Sequence, residues 1–212
     1  MGRFLEARFW GVVAALALAS GAVEALSALQ ETQTWDEGIH LSAGYAYLTR
    51  GDFRWNQEHP PLAKLLSALP LLAFHAELPV GGEGWRKLDE TQMGIDFLYH
   101  NRAPADSLLF AARTATMLLS LLFLTAVAGL VRRRFGTVPA LLTVCLCGFD
   151  PNLIAHARYV TTDFPVTVFY FLAALMWLEY LLTGRTRDLV LAALAFAPVS
   201  YTHLTLPTNR EV

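Results

Sequence analysis

Four stretches of this chain, residues 9–29, 108–131, 138–157 and 164–182, each approach the ~20 mostly apolar residues that carry a helix across about 30 Å of hydrocarbon. Inside lipid no water is present to satisfy backbone N–H and C=O groups, so such stretches fold as helices that bond internally. The expectation is an all-α, polytopic transmembrane chain with four complete spans. Composition agrees, with 55% of the 212 residues hydrophobic and 16% charged; a disordered chain is excluded by that apolar content. A formal net charge of -2 and the lack of a basic domain argue against a nucleic-acid partner. Cys145 and Cys147 are too few for a disulfide framework or a four-ligand zinc site, and are predicted to be small core residues on nearly opposite faces of one helix.

The segment between the first two spans, residues 31–107, holds 6 Lys/Arg against 11 Asp/Glu. The remaining flanks are short and basic: Arg3 and Arg8 before the first span, Arg132, Arg133 and Arg134 after the second, Arg185 and Arg187 after the fourth. The positive-inside rule assigns those flanks to the cytoplasm. By parity, loop 31–107 and the turn at 158–163 both face outward, and three glycines, Gly81, Gly82 and Gly84, mark a flexible point in the loop. The first span has a second reading as a secretory signal peptide, although its apolar run outlasts the 7–15 residues of a typical h-region. Glu24 within it faces either a bundle interior or the wet edge of the membrane. Residues 189–197 begin a fifth, truncated span, and residues 199–212 resemble translated sequencing adapter and are expected to be a non-native tail.

Outward chemistry begins at Thr34-Trp35-Asp36-Glu37, where Thr34 and Glu37 have capping-box spacing and Gly51 suits the far end of the same helix. Capping accounts for Glu37; Asp36 is either helix-start electrostatics or a general base at the membrane surface. Further on, Glu58 and His59 precede Pro60-Pro61, so they lie on an extended approach to an interfacial helix over Pro61–Phe74. Its one charge, Lys64, either snorkels to the headgroups or serves the site. The second outward turn carries His156, Arg158 and Asp163, the last of which is also suited to capping the fourth span, and Arg113 adds a cation from the second span. Pro151 interrupts the third span, as happens beside cavities.

Trp35-Asp36-Glu37-x-x-His40, Gly51-Asp52, Asn56-x-Glu58-His59-Pro60-Pro61-Leu62 and Asp150-Pro151-Asn152-Leu153-x-x-His156-x-Arg158-x-x-Thr161-Thr162-Asp163 together resemble membrane glycosyltransferases of the GT-C class. The nearest groups are the protein O-mannosyltransferases and the bacterial aminoarabinose transferases, over about residues 8–183. The resemblance implies a multi-span helical enzyme with a large outward loop carrying interfacial helices, of which residues 1–198 are the N-terminal part, inactive alone. It also implies a polyprenyl-phosphate-linked sugar donor, an acceptor that is protein, lipid or glycan, and a bacterial inner membrane with the active face towards the periplasm or cell exterior. On it, Asp36 and Glu37 are the catalytic pair. Arg158, His59, Lys64 and Arg113 are candidates for the donor phosphate, and Asp163, Glu58 and His156 for other substrate contacts. Aminoarabinose transferases carry a lysine where this chain has His59. No metal site is evident, and the cofactor is left open. The rival readings are a transporter with Glu24, Arg113, His156 and Arg158 along its path, or a non-catalytic membrane subunit.

Sidedness is directly testable. In a background lacking Cys145 and Cys147, Gly82→Cys should react with an impermeant thiol reagent in intact cells and Thr186→Cys only after lysis. Labelling of Thr186→Cys in intact cells would reverse the topology.

Overall fold

The computed structural model describes residues 6–200, with the side chains of 199 and 200 left out, so Arg3 and the tail beyond Ser200 fall outside the described residues. The described residues are helical, without strands. Three helices are long and apolar enough to cross a membrane: α1 (Phe9–Ala28), α6 (Ala105–Phe135) and α9 (Asp163–Thr183). A fourth crossing requires two short helices taken together, α7 (Thr137–Gly148) and α8 (Pro151–Ala157), which meet at a 62° bend. Between α1 and α6 lies a layer of α2 (Trp35–Arg50), α3 (Pro61–Ala68) with a 3-10 continuation over Leu69–Phe74, α4 (Glu83–Lys87) and α5 (Glu90–Tyr99). The expected fifth span is a 15-residue helix, α10 (Thr186–Ser200), whose Ala192 packs with Met176 of α9 and Leu130 of α6.

The bend follows from local chemistry. Pro151 has no N–H and disfavours helix in the residue before it, so Asp150 adopts an extended conformation. Its carboxylate then accepts from the N–H groups of Asn152 and Leu153, both at 2.9 Å, and starts α8 afresh. The Gly148 carbonyl loses its helical donor and is served instead by Ser20 Oγ of α1 at 2.6 Å. One turn along α1, Glu24 is buried and accepts from Ser120 Oγ of α6 at 2.8 Å, which selects the bundle interior over the wet edge. The apolar seam around these contacts comprises Ala17, Phe123, Leu124, Val127, Phe164 and Val168. Cys147 is half-buried and packs against this seam, whereas Cys145 is exposed on the bundle's outer surface, which corrects the core expectation for Cys145. On a helix whose surroundings are equally apolar on both sides, hydrophobicity does not choose a face.

The layer outside the bundle is docked on one end of α6 through Leu41, Phe97, Leu98, Leu108, Leu109, Ala112 and Val160. Val160 belongs to the turn between α8 and α9, so loop 31–107 and that turn sit at the same end of the molecule, as span parity requires. Helix α2 ends as its sequence dictates: Gly51 is left-handed at φ 62°, and the N–H groups of Gly51 and Asp52 close back on Tyr47 and Ala46. Two glycine approaches set its packing. A Cβ on Gly94 of α5 would lie 2.7 Å from the Gly38 carbonyl carbon, and one on Gly44 would lie 2.3 Å from the Lys64 carbonyl oxygen. Gly84, read as part of a flexible point, is instead a close contact whose Cβ would stand 2.6 Å from the Met93 nitrogen.

Because backbone atoms cannot retreat as side-chain tips do, Gly94→Ala should cost about 1–3 kcal/mol by overpacking. Gly11→Ala, with nothing within 4 Å, should not destabilise. Thermal unfolding in one detergent, followed by tryptophan fluorescence, compares the two.

Candidate active site

A buried ion pair organises the end of the bundle where the loop docks. Arg113 of α6 is 1% exposed and Glu37 of α2 is 0% exposed, and they meet through two bonds, Nε to Oε1 at 2.8 Å and Nη2 to Oε2 at 2.7 Å. The other Arg113 donors reach the carbonyls of Ala28 at 2.8 Å, Glu31 at 3.0 Å and Thr32 at 2.9 Å. All five guanidinium N–H groups are therefore engaged. Glu37 also accepts from the N–H of Thr34 at 2.9 Å, its expected capping bond, and from the N–H of Val160 at 3.0 Å. Burial alone would raise the Glu37 pKa, but the Arg113 bonds and the two backbone donors outweigh it and hold the carboxyl below its ordinary value.

Asp36, the neighbouring residue, is exposed, and no hydrogen bond to its carboxylate occurs among the described residues. Trp35 stands beside it, 75% exposed. One residue turns the side chain by about 100° on a helix, so locking Glu37 inward aims Asp36 outward.

The second centre is Asn56, held at φ 44° in the turn before the paired prolines. Its N–H and Nδ2 donate to Glu90 at 2.6 and 3.2 Å, and its Oδ1 accepts from Lys64 Nζ at 3.1 Å. Lys64 also donates to the Asn56 carbonyl and to the Tyr47 hydroxyl, the latter at 3.0 Å. Its three ammonium protons are thus directed into the protein, and with 1% exposure the chain points inward and does not snorkel. Burial lowers the Lys64 pKa to about 8, against the opposing pull of Glu90. Because Asn56 Nδ2 faces Glu90, His40 Nδ1 must donate to Asn56 Oδ1 across 3.2 Å, leaving Nε2 as the basic nitrogen. Burial, then the charges of Lys64 and His59, lower the His40 pKa to about 4 and keep this ring neutral.

His59 is exposed, packs edge-on to His40 with ring centroids 5.1 Å apart, and lies with Nδ1 3.3 Å from Thr162 Oγ1. Arg158 differs from Arg113 in its unfilled valences. Its Nη1 meets Ser27 Oγ and Glu31 Oε1, the latter at 3.1 Å, while Nε is buried with no partner. Asp163 is exposed in the first turn of α9, with Thr162 rather than Asp163 at the cap position. Glu58 and His156 are exposed, and neither side chain has a hydrogen bond among the described residues.

Of the residues singled out from sequence at this junction of loop and bundle, Asp36, Arg158, His59 and Asp163 keep polar groups that the fold does not use, whereas Glu37, Arg113 and Lys64 are consumed by it. Glu31, Asn56, Thr162 and Glu90 went unassigned. Asn56 and Thr162 lay in motifs already quoted, but nothing local marks Glu90, which is 34 positions from its partner.

Residues 105–205 match the model of the family described as dolichyl-phosphate-mannose-protein mannosyltransferase. The match supports a membrane glycosyltransferase of mannosyltransferase-like type, and it covers Arg113, His156, Arg158 and Asp163 but not the α2 segment with Asp36. No curated protein and no solved structure gives a significant match.

The buried groups fix an acid sensitivity. Unfolded His40 takes up a proton near 6.5 while the folded ring stays neutral to about 4, so stability should fall as pH drops through that window. Glu37, with its folded pKa below 4.5, loses its contribution at still lower pH. Thermal midpoints from pH 7 to 4 should decline in the wild type and flatten in His40→Gln.

Proposed function

We propose that this mannosyltransferase-like membrane glycosyltransferase moves a sugar from a polyprenyl-phosphate donor to an acceptor hydroxyl or similar group at the outer membrane face, inverting the anomeric carbon. The observation that carries the reading is the division between two adjacent carboxylates, Glu37 sealed against Arg113 and the N–H of Val160, and Asp36 exposed with its carboxylate not used by the fold. Asp36 accepts the acceptor's O–H proton as that oxygen forms its bond to the anomeric carbon. The bond from that carbon to the phosphate oxygen breaks on the opposite face, and its electron pair leaves with the phosphate through an oxocarbenium-like state. A phosphate is already a competent leaving group, so its departure needs cationic contact more than a general acid.

Arg158 and His59 supply that contact, because they retain donors that the fold has not used. Arg113 and Lys64, with every N–H committed internally, are removed from the phosphate set and act as positioning residues for α2 and the Asn56 turn. Glu37 is likewise a positioning residue. Asp163, Glu58 and His156 remain available to sugar or acceptor hydroxyls. The transport reading is disfavoured because Arg113 and Glu24, which a path would need accessible, are bonded within the bundle.

With the protein at its full natural length in membranes supplied with radiolabelled polyprenyl-phosphate sugar, Asp36→Asn should lower transfer by ~10²–10⁴ and leave donor binding intact. Arg158→Lys should raise the donor KM, since a point charge replaces a planar fork. Arg113→Met should reduce protein stability by about 3–5 kcal/mol through the orphaned Glu37 charge. Undiminished turnover in Asp36→Asn refutes the proposed base.

A further inference from the structure

Arg158 is a cation with spare donors, and the anion now touching it belongs to the chain itself. Glu31 lies in the connection between α1 and α2, and its carboxylate stands 3.1 Å from Arg158 Nη1. The two sides of the pair are unequal: the Arg158 side chain is 14% exposed and that of Glu31 is 42% exposed. The Glu31 backbone is fixed, because its carbonyl accepts from Arg113 at 3.0 Å, so only the side chain is free to turn away. Tyr159 completes the pocket. Its ring lies 4.8 Å from the Arg158 guanidinium and 5.3 Å from that of Arg113, and burial, with the Glu31 carboxylate nearby, raises the pKa of its hydroxyl.

From this geometry we infer that Glu31 is a stand-in for the donor phosphate, occupying Arg158 and Tyr159 in the empty enzyme and yielding them when an isoprenyl phosphate binds. The inference rests on the lipid-linked donor proposed above. A glycosyl phosphodiester carries one negative charge, as the carboxylate does, so the exchange leaves Arg158 neutralised before and after it. The empty site also avoids the cost of a partly buried, unpaired guanidinium. After transfer the leaving isoprenyl phosphate is a monoester with a charge of about −1.5 to −2 at pH 7, which binds Arg158 more strongly than the donor did. A carboxylate tethered beside the cation competes for it at that step and assists release.

The test uses the full chain in detergent, geranyl phosphate as the probe and quenching of tryptophan fluorescence as the readout, with inorganic phosphate as a second probe. Glu31→Gln keeps the size of the side chain and removes its charge, and should bind geranyl phosphate about two- to fivefold more tightly than wild type, the range for losing a partly exposed competing ion pair. Glu31→Ala should move in the same direction, and Arg158→Ala should abolish the gain in either background. In turnover, Glu31→Gln should show a lower donor KM together with stronger inhibition by the isoprenyl phosphate product. Equal or weaker binding in both Glu31 variants, with Arg158-dependent binding in wild type, overturns the stand-in role and leaves the donor reading intact. An Arg158-dependent gain of equal size with inorganic phosphate keeps the exchange and refutes the lipid-linked donor. Binding that is insensitive to both Glu31 and Arg158 refutes both.

Discussion

The Arg113–Glu37 pair is the contact on which the outer half of the molecule depends. It joins a helix of the bundle to the first turn of α2, and the same carboxylate takes the N–H of Val160 in the distant turn. The same guanidinium also gathers three carbonyls, those of Ala28, Glu31 and Thr32, where α1 ends and the connection to α2 runs. Two charges removed from water are tolerable only when their remaining valences are met, and here the backbone meets them. Each peptide group that satisfies Arg113 or Glu37 is thereby fixed in place. The contact is thus less a source of net stability than a device that gives three chain segments one relative position.

A second polar centre does the same for the Gly51–Pro60 approach. Asn56 lies in a turn without regular hydrogen bonding, and Glu90, Lys64 and Tyr47 supply its missing partners. His40 is drawn into the cluster as a neutral ring, and through it His59 is set against Thr162 of the opposite turn. The two centres approach the junction from different sides. Between them they account for Glu37, Arg113 and Lys64, three charged residues that a reading by proximity alone would assign to substrate.

What separates the proposed phosphate-binding cation from the structural ones at this junction is the count of unsatisfied donors. Arg113 has none left, Lys64 has none left, and Arg158 has its Nε buried without a partner. The proposed exchange of Glu31 for phosphate extends the same accounting, because an arginine with spare donors in a partly buried place is costly without an anion beside it. The bend at Pro151 brings that arginine to the junction, since α8 turns by 62° from the line of α7 and delivers Arg158 just past its end.

Local patterns in the sequence were sufficient for the long helices, for α2 and for the break before α8, though not for α4 and α5. Apolar runs near 20 residues set the long helices, Thr34 with Glu37 and Gly51 bounded α2, and Pro151 broke the third apolar stretch. Each of these rests on backbone preferences or solvent transfer acting within a few residues, which a linear sequence contains in full. The motifs also placed Asp36, His59 and Arg158 at one end of the bundle through span parity. The tertiary structure alone decided which charges were spent. Arg113 and Glu37 are 76 positions apart, Asn56 and Glu90 are 34 apart, and no periodicity connects them. Lys64 turned inward and Cys145 outward for the same reason. A side chain's partner is fixed only when helices have packed and desolvation has forced each buried polar group to find one, so role follows from contacts that the sequence does not record.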